Sequence, residues 1–582
     1  MDIARTIQTR RVWILAAFQV CLGLLALRLV QLQVVRHRPL LALAERMENA
    51  TIELMPQRGL ILDCKGRELA ITVSAPSVAI NPRKIPAADR AQVAARLAEI
   101  LHLDAAELEQ RLARPLYFAW VKRQAGESEA RAVVEAGIPG IEIRPEPVRR
   151  YPGGSFLSHV LGGVGIDGRG LEGVEAQFDA ALRGVPGEEA VLRDGRGRPV
   201  GDPDFPRRDP VHGQSVVLTI DARIQRIVEE ELAAACEKYH PESASAIVMD
   251  PWTGDVLAMA SWPSFDPAHL GRVPAAVRRN MAVVEMVEPG STFKPFVAAL
   301  ALDAGLVRPE SIFDCHLGAY RIGGRTLHDV HPYGRLTVRE IIAYSSNIGM
   351  AQVGARLGPD RMYAGLRAMG FGQRSGIELS GESTGLLHHP RSWSKLTISS
   401  IPMGQEVAVS PLQLTAGFCV FANGGWHVQP RIVRGLADHD GQRLLRAPEP
   451  PRFRQVLRPE TANLMCKDLL AGVVEYGTAQ NCAIDGYRMS GKTGTAQLAR
   501  ADARGYEPGS YLAAFGAILP TDQPRYVITL LARRPRGGAY YGGVVAAPAA
   551  ARMGERILSM FHVPRTASVA RADAARARGG RH

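Results

Sequence analysis

Three short stretches carry residues that together could perform acyl transfer. Ser291-Thr292-Phe293-Lys294 comes first along the chain, Ser345-Ser346-Asn347 second and Lys492-Thr493-Gly494-Thr495 last. A serine hydroxyl is a weak nucleophile at neutral pH and needs a neighbour to take its proton. A lysine does so only when it is itself uncharged. Burial and a second nearby cation both push a lysine pKa down, and Lys492 is the natural second cation for Lys294. The chemistry on offer is a serine acyl-enzyme. Ser291 would be the nucleophile and Lys294 the base, with Ser345 relaying a proton to a leaving amine and Asn347 presenting both a donor and an acceptor to a peptide backbone. Lys492 and the hydroxyls of Thr493 and Thr495 suit a terminal carboxylate, while the N–H groups of Ser291 and Thr495 suit an oxyanion hole. Each stretch alone is a poor signal. Ser392-Trp393-Ser394-Lys395 repeats the first spacing with no S-x-N behind it and reads as a decoy.

The flanking residues predict the elements that hold these groups. Glu288-Pro289-Gly290 is a turn-like lead-in, and Pro295 is tolerated only in a helix's first turn, so a helix starts near Thr292. Ser291 then lies at the positive end of the helix dipole with Lys294 on the same face. Thr337-Val338-Arg339-Glu340 is a capping box that opens a helix reaching about Tyr344 and leaves Ser345 to Asn347 on a loop. Lys492 to Thr495 reads as a strand edging a cleft. Gly494, lacking a side chain, would let an extended substrate approach as an added strand.

The 582 residues suffice for two or three domains, and 46% hydrophobic with 22% charged is ordinary globular composition. The net charge of +12, mainly from arginine, favours anionic surfaces such as lipid headgroups or cell-wall polymer. The basic residues are dispersed and accompany no recognition motif, so no nucleic-acid partner is expected. Residues 12–35 form an apolar run long enough to cross a bilayer, with Arg28 at the interface, and predict an uncleaved anchor. Ala42-Leu43-Ala44 lies too far beyond the apolar core to act as a signal-cleavage site. Arg5, Arg10 and Arg11 nearly balance Arg36 and Arg38, so charge alone does not orient the anchor.

Seven cysteines without a C-x-x-C argue against a metal site, and a Cys466–Cys482 bridge is left open. His328 and His331 lack a third ligand at a recognisable spacing and read as loop or surface histidines. Neither cofactor nor metal is expected. The divisions read from the chain are a tail over 1–11, the anchor over 12–35, an elongated α+β pedestal over 36–212, a catalytic domain over 213–562 and a disordered tail over 563–582.

The order S-x-x-K, S-x-N, K-T-G-T resembles the penicillin-recognising serine transferases, and specifically the class B penicillin-binding proteins. Other stretches share the resemblance: Arg58-Gly59-Leu60-Ile61-Leu62-Asp63 with Gly66 to Ala70, Arg149-Arg150-Tyr151-Pro152, Gly170 to Glu175, Asp250 to Met259, and Gly542 to Pro548. Cys64 departs from it, standing where the family usually has arginine, which puts the local salt bridging in question. The resemblance implies an α/β catalytic domain whose antiparallel sheet is flanked by helices, with the motif serine at a helix start facing the sheet edge. It also implies a single-pass inner-membrane protein with its N-terminus inside and its catalytic domain outside. Implied too is D,D-transpeptidase activity on peptidoglycan stem peptides and lipid II-derived glycan, with acylation by β-lactams. The implied partner is a multispanning glycosyltransferase of the shape, elongation, division and sporulation (SEDS) family. The Ser345-to-Met350 context and the short chain after residue 562 look more like the division type than the elongation type. A β-lactamase or carboxypeptidase has little need of the pedestal, a bifunctional synthase needs an acidic glycosyltransferase module, and a non-catalytic sensor has no need of both Lys294 and Lys492.

Overall fold

The computed structural model describes residues 2–39, 49–193, 199–200, 206–447, 450–500 and 505–565. The expected tail therefore lies outside the described residues from 566 onward. Two compact units result, one of 1–57 with 184–213, the other of 58–183 with 214–582. In the first, a helix over Asp2–Val30 runs on into a π-helical turn, Gln31–Val35. Ile7–Val35 is long and apolar enough to cross a membrane, starting earlier than the Val12 expected. Strand Asn49–Leu54 pairs antiparallel with Gly187–Arg193 in the same unit.

Within the second unit, residues 58–183 are organised by the long strand Glu68–Ile80, which pairs antiparallel with Ile141–Arg150 and with Ala119–Lys122. Helices Arg90–Leu101 and Ala105–Ala113 bury Leu97, Leu101, Leu108 and Leu112 together. Three of the sequence stretches noted above meet in one buried ion cluster. Arg58 Nε donates to Glu175 Oε2 at 2.8 Å and Arg149 Nε to Glu175 Oε1 at 2.6 Å, with all three side chains nearly inaccessible. Arg149 also donates to the Gly59 carbonyl at 2.7 Å. Beside Cys64, the Asp63 carboxylate accepts from the amides of Lys65, Arg67 and Ala222. Arg67 lies 3.2 Å from Asp63 and 3.5 Å from Asp221 and pairs with both carboxylates. The Cys64 thiol is pushed up to about 11, first by burial and then by Asp221 and Asp63.

The catalytic part is built on a five-stranded antiparallel sheet: β1 Ser243–Met249, β2 Val256–Trp262, β3 Ser490–Ala499, β4 Tyr506–Leu519 and β5 Tyr526–Arg533, in the order β2-β1-β5-β4-β3. Helix α1 (Ala222–Tyr239) is capped by Asp221, whose carboxylate accepts from the Arg223 amide. Further along are α2 (Lys294–Asp303), α3 (Val338–Tyr344), α4 (Asn347–Leu357), α5 (Pro411–Ala422) and α6 (Ala547–Met560). Phe418 of α5 packs where a Cβ on Gly516 would lie, and Gly554 of α6 meets Leu519. Residues 516 and 519 are an odd number of positions apart on β4, so α5 and α6 cover opposite faces, and the expected sheet flanked by helices is observed. The end strand β3 has a strand neighbour on one side only.

Candidate active site

Ser291 lies on a 3-10 turn, Gly290–Phe293, that leads into α2. The helix was expected to begin near Thr292. It begins two residues later because the Thr292 hydroxyl turns back to the Pro289 carbonyl at 2.7 Å and tightens the entry. Pro295 then falls in the first turn, where its missing N–H costs nothing. The turn and helix are anchored from behind by edge-to-face contacts of Phe293, Phe296 and Phe371 at 4.9–5.4 Å, all fully buried. Lys294 therefore has a rigid base.

The capping box forms as expected: the Thr337 hydroxyl accepts from the Glu340 amide, and Glu340 reaches back to the Thr337 amide. It fixes α3, which ends with Ser345 in the left-handed region at φ 63°. That conformation costs a non-glycine residue about 1–2 kcal/mol, and it turns both the carbonyl and the hydroxyl of Ser345 toward Lys294. Lys294 Nζ donates to the Ser345 carbonyl, lies 3.2 Å from Ser345 Oγ and 2.8 Å from Asn347 Oδ1. Lys492 Nζ lies 2.9 Å from the same Ser345 Oγ and 3.0 Å from the Thr493 carbonyl. One hydroxyl is thus shared by two buried amines.

Two ammonium groups so placed cannot both keep their charge. Burial pulls Lys294 down to about 7, against the opposing pull of Asp329. Lys492 is driven well below the ordinary lysine range, first by burial and then by Lys294. Burial, one of the two causes expected, leads for both lysines, and the effect of the second cation falls on Lys492.

At Gly494 a Cβ would lie 2.7 Å from Thr292 Cγ2 and 3.0 Å from the Pro289 carbonyl, so the missing side chain lets the Ser291 turn pack against β3. Thr493 Oγ1 shares a hydrogen bond with Thr478 Oγ1 at 2.7 Å, and Thr495 Oγ1 accepts from the Gly542 amide at 3.0 Å. Ser291, Ser345, Asn347, Thr493 and Thr495 line one cleft of about 1130 Å³ along the free side of β3. Lys294 and Lys492 lie beneath it, fully buried. Ser392 sits exposed on a separate 3-10 turn, its hydroxyl donating to the His389 carbonyl, and Lys395 is exposed as well.

Other residues of the site carried no motif. Asp329 accepts from Ser346 Oγ at 2.6 Å and from the amides of Asn347 and Ile348, and so caps α4; Asn347, expected on a loop with Ser345 and Ser346, is the first residue of that helix. Of the two histidines expected on a loop or the surface, His331 lies on an exposed loop and His328 is the exposed last residue of the strand Arg325–His328; both line the cleft, and the His328 carbonyl accepts from Asn347 Nδ2 at 2.9 Å. Tyr511, Tyr540 and Tyr541 stack at its mouth with centroids 4.1 and 4.4 Å apart. All seven cysteines are free, Cys466 and Cys482 included.

Comparison with known proteins agrees with this geometry. Residues 244–555 match the penicillin binding protein transpeptidase domain, and residues 53–218 the penicillin-binding protein dimerisation domain. The chain is similar to stage V sporulation protein D of Bacillus subtilis, at 32% identity over 93% of this chain and 84% of that protein. It is likewise similar to peptidoglycan D,D-transpeptidase FtsI of Escherichia coli, at 31% identity over 90% and 86% of the two chains. Among solved structures, penicillin binding protein 3 of Mycobacterium tuberculosis in complex with aztreonam superposes with a TM-score of 0.70 at 30% identity, covering 88% of this chain and 98% of that one. With a dimerisation domain preceding a transpeptidase domain, and with S-x-x-K, S-x-N and K-T-G-T brought to one cleft, the chain belongs to the class B penicillin-binding proteins.

Proposed function

We propose that this protein is a peptidoglycan D,D-transpeptidase of cell division that works through an acyl-enzyme on Ser291. Uncharged Lys294 takes the proton of Ser291 Oγ as that oxygen attacks the carbonyl between the two terminal D-alanines of a stem peptide. The amides of Ser291 and Thr495 receive the developing oxyanion. As the C–N bond breaks, the proton passes from Lys294 through Ser345 Oγ, 3.2 Å away, to the departing D-alanine. The amine of a second stem peptide then attacks the ester, its proton returns along the same path, and Ser291 leaves. Asn347 and β3 hold the donor peptide as an added strand, while Thr493 and Thr495 beside Lys492 hold its terminal carboxylate. The carrying observation is the pair of lysine amines on one serine hydroxyl, at 3.2 and 2.9 Å.

The N-terminal helix keeps the catalytic part at the outer face of the cytoplasmic membrane, and the polymerase partner is a multispanning glycosyltransferase of the SEDS family. The experiment is labelling with a fluorescent penicillin, alongside D-alanine release and cross-linked product from a D-alanyl-D-alanine stem peptide. Wild type should give all three and Ser291→Ala none. Full labelling of Ser291→Ala would remove Ser291 from the reaction. Depletion in cells should give filaments, and round cells would assign the enzyme to elongation.

A further inference from the structure

A separate pocket of about 610 Å³ opens at one end of the catalytic sheet. There the β1–β2 and β4–β5 turns, brought level by the pairing of Met249 with Val527, meet helix Pro459–Leu464 and the π-helical turn Met465–Leu470. None of its lining residues lines the cleft, and its size is that of a small-ligand site. Trp252 forms one wall. It belongs to the stretch Asp250 to Met259, which the reaction above leaves unused, and 55% of its surface is exposed. Its amide donates to Asp250 Oδ1 and its Nε1 to the Pro524 carbonyl, both at 2.8 Å, so the two turns fix the indole between them. With its N–H already satisfied, the ring offers a ligand a flat apolar face. Asn463, Lys467, Gln523 and Arg525 line the same pocket with exposed side chains that make no hydrogen bond or ion pair among the described residues. Asp522 stands beside them, 3.8 Å from Arg488.

This lining selects one class of ligand. A sugar ring has a face of C–H groups, which an indole covers, and an edge of hydroxyl and acetamido groups, which amides and ions hydrogen-bond. Lys467 and Arg525 balance Asp250 and Asp522, so a phosphate ligand gains no net attraction, and an apolar ligand would strand the polar groups. The pocket is also tied to the reacting strand. Ser490 Oγ donates to the Cys466 carbonyl at 2.7 Å and shares a hydrogen bond with Thr521 Oγ1 at 2.7 Å. Lys467 and Asp522 are the next residues, and Lys492 is two beyond Ser490. Tyr526, which lines the pocket, starts β5, so it lies two strands from β3 and three residues from Thr529, which is level with Lys492. That is roughly 10 Å across the sheet and 10 Å along it.

We propose that this pocket is a saccharide subsite for the glycan strand of peptidoglycan, with Trp252 stacked on a sugar ring and Asn463, Lys467, Asp522, Gln523 and Arg525 on its hydroxyl and acetamido groups. The inference rests on the D,D-transpeptidase reading for its substrate class and adds a grip on the polymer to the grip on the peptide. Holding the strand here raises the effective concentration of its stem peptide at the cleft.

The test uses the full-length protein in detergent. Calorimetry with a peptide-free tetrasaccharide of alternating N-acetylglucosamine and N-acetylmuramic acid should show saturable binding. Trp252→Ala should weaken it by about tenfold and Asn463→Ala by about fivefold, the scale of one aromatic platform and of one neutral hydrogen bond. D-alanine release should show a KM about tenfold lower for a stem peptide carried on that glycan than for the free stem peptide, with kcat unchanged, and Trp252→Ala should remove the difference. Both variants should keep the wild-type rate of Ser291 labelling by fluorescent penicillin, which shows that they are folded. No saturable binding by wild type, equal KM values for its two substrates, or undiminished binding in both variants would overturn the subsite and leave the transpeptidase reading standing. Binding of the free stem peptide that Trp252→Ala abolishes would overturn the saccharide assignment in favour of a peptide. Glycan binding without D-alanine release from either substrate would overturn the transpeptidase reading and support the pocket. The wild-type KM ratio decides the matter if a variant fails to fold.

Discussion

The protonation state of Lys294 gives the sharpest prediction. Its ammonium is held at about 7 by burial instead of the ordinary 10.5. The uncharged form is the base, so roughly a tenth of the enzyme is competent at pH 6 and roughly nine tenths at pH 8. The second-order rate constant for acylation by a fluorescent penicillin should therefore rise about tenfold across that interval and then level off. A lysine titrating at its ordinary value would give about a hundredfold rise with no plateau. Asp329 supplies the perturbation, because its negative charge favours the protonated lysine and opposes the effect of burial. Asp329→Asn removes the charge and keeps one carbonyl oxygen for the α4 amides, so the midpoint should move to lower pH. The plateau should also fall, since Asp329 loses part of its hold on Ser346. His328 and His331 line the same cleft, and a variant with both changed to Gln should keep the wild-type midpoint. A wild-type profile without a plateau below pH 9, or a midpoint that stays or rises in Asp329→Asn, would refute the assignment of Lys294 as the base.

Lys492→Ala should slow penicillin acylation by about 3 kcal/mol, the scale of losing one oxyanion-type contact, and unchanged labelling would show that Lys492 does not act on bound ligand. Gly494→Ala drives a methyl group into Thr292 and Pro289, so it should part β3 from the Ser291 turn and lower the acylation rate by about a hundredfold; stopped-flow labelling decides it. Arg149→Met leaves the buried Glu175 with Arg58 as its one remaining guanidinium, and should destabilise the fold by about 3 kcal/mol in urea melts while a folded sample still binds penicillin.

The motif residues were readable in the sequence because each short stretch carries its own backbone signal. A capping box puts Ser345 past a helix end, a proline dates the start of α2, and a run of small and β-branched residues marks the strand holding Lys492. The residues that went unread act across long sequence separations and have no periodicity to betray them. Asp329 reaches the S-x-N loop from the end of a hairpin, and the Arg58–Glu175–Arg149 cluster was visible as resemblance without its geometry. Neighbours set by distant residues are the least legible: the Ser291 turn packs against Gly494, and the second-cation effect expected on Lys294 beside burial falls on Lys492.

An unpaired sheet margin is an invitation to sticking: any extended chain, including another copy of the protein, could zip onto β3. Here the margin is hemmed on both sides. The Ser291 turn presses on one face of Gly494, and Gly542 comes so near the Gly494 carbonyl that a Cβ there would lie 2.2 Å from it. The crowding that seats the Ser291 turn on β3 therefore also leaves this stretch of the margin less open to a second sheet.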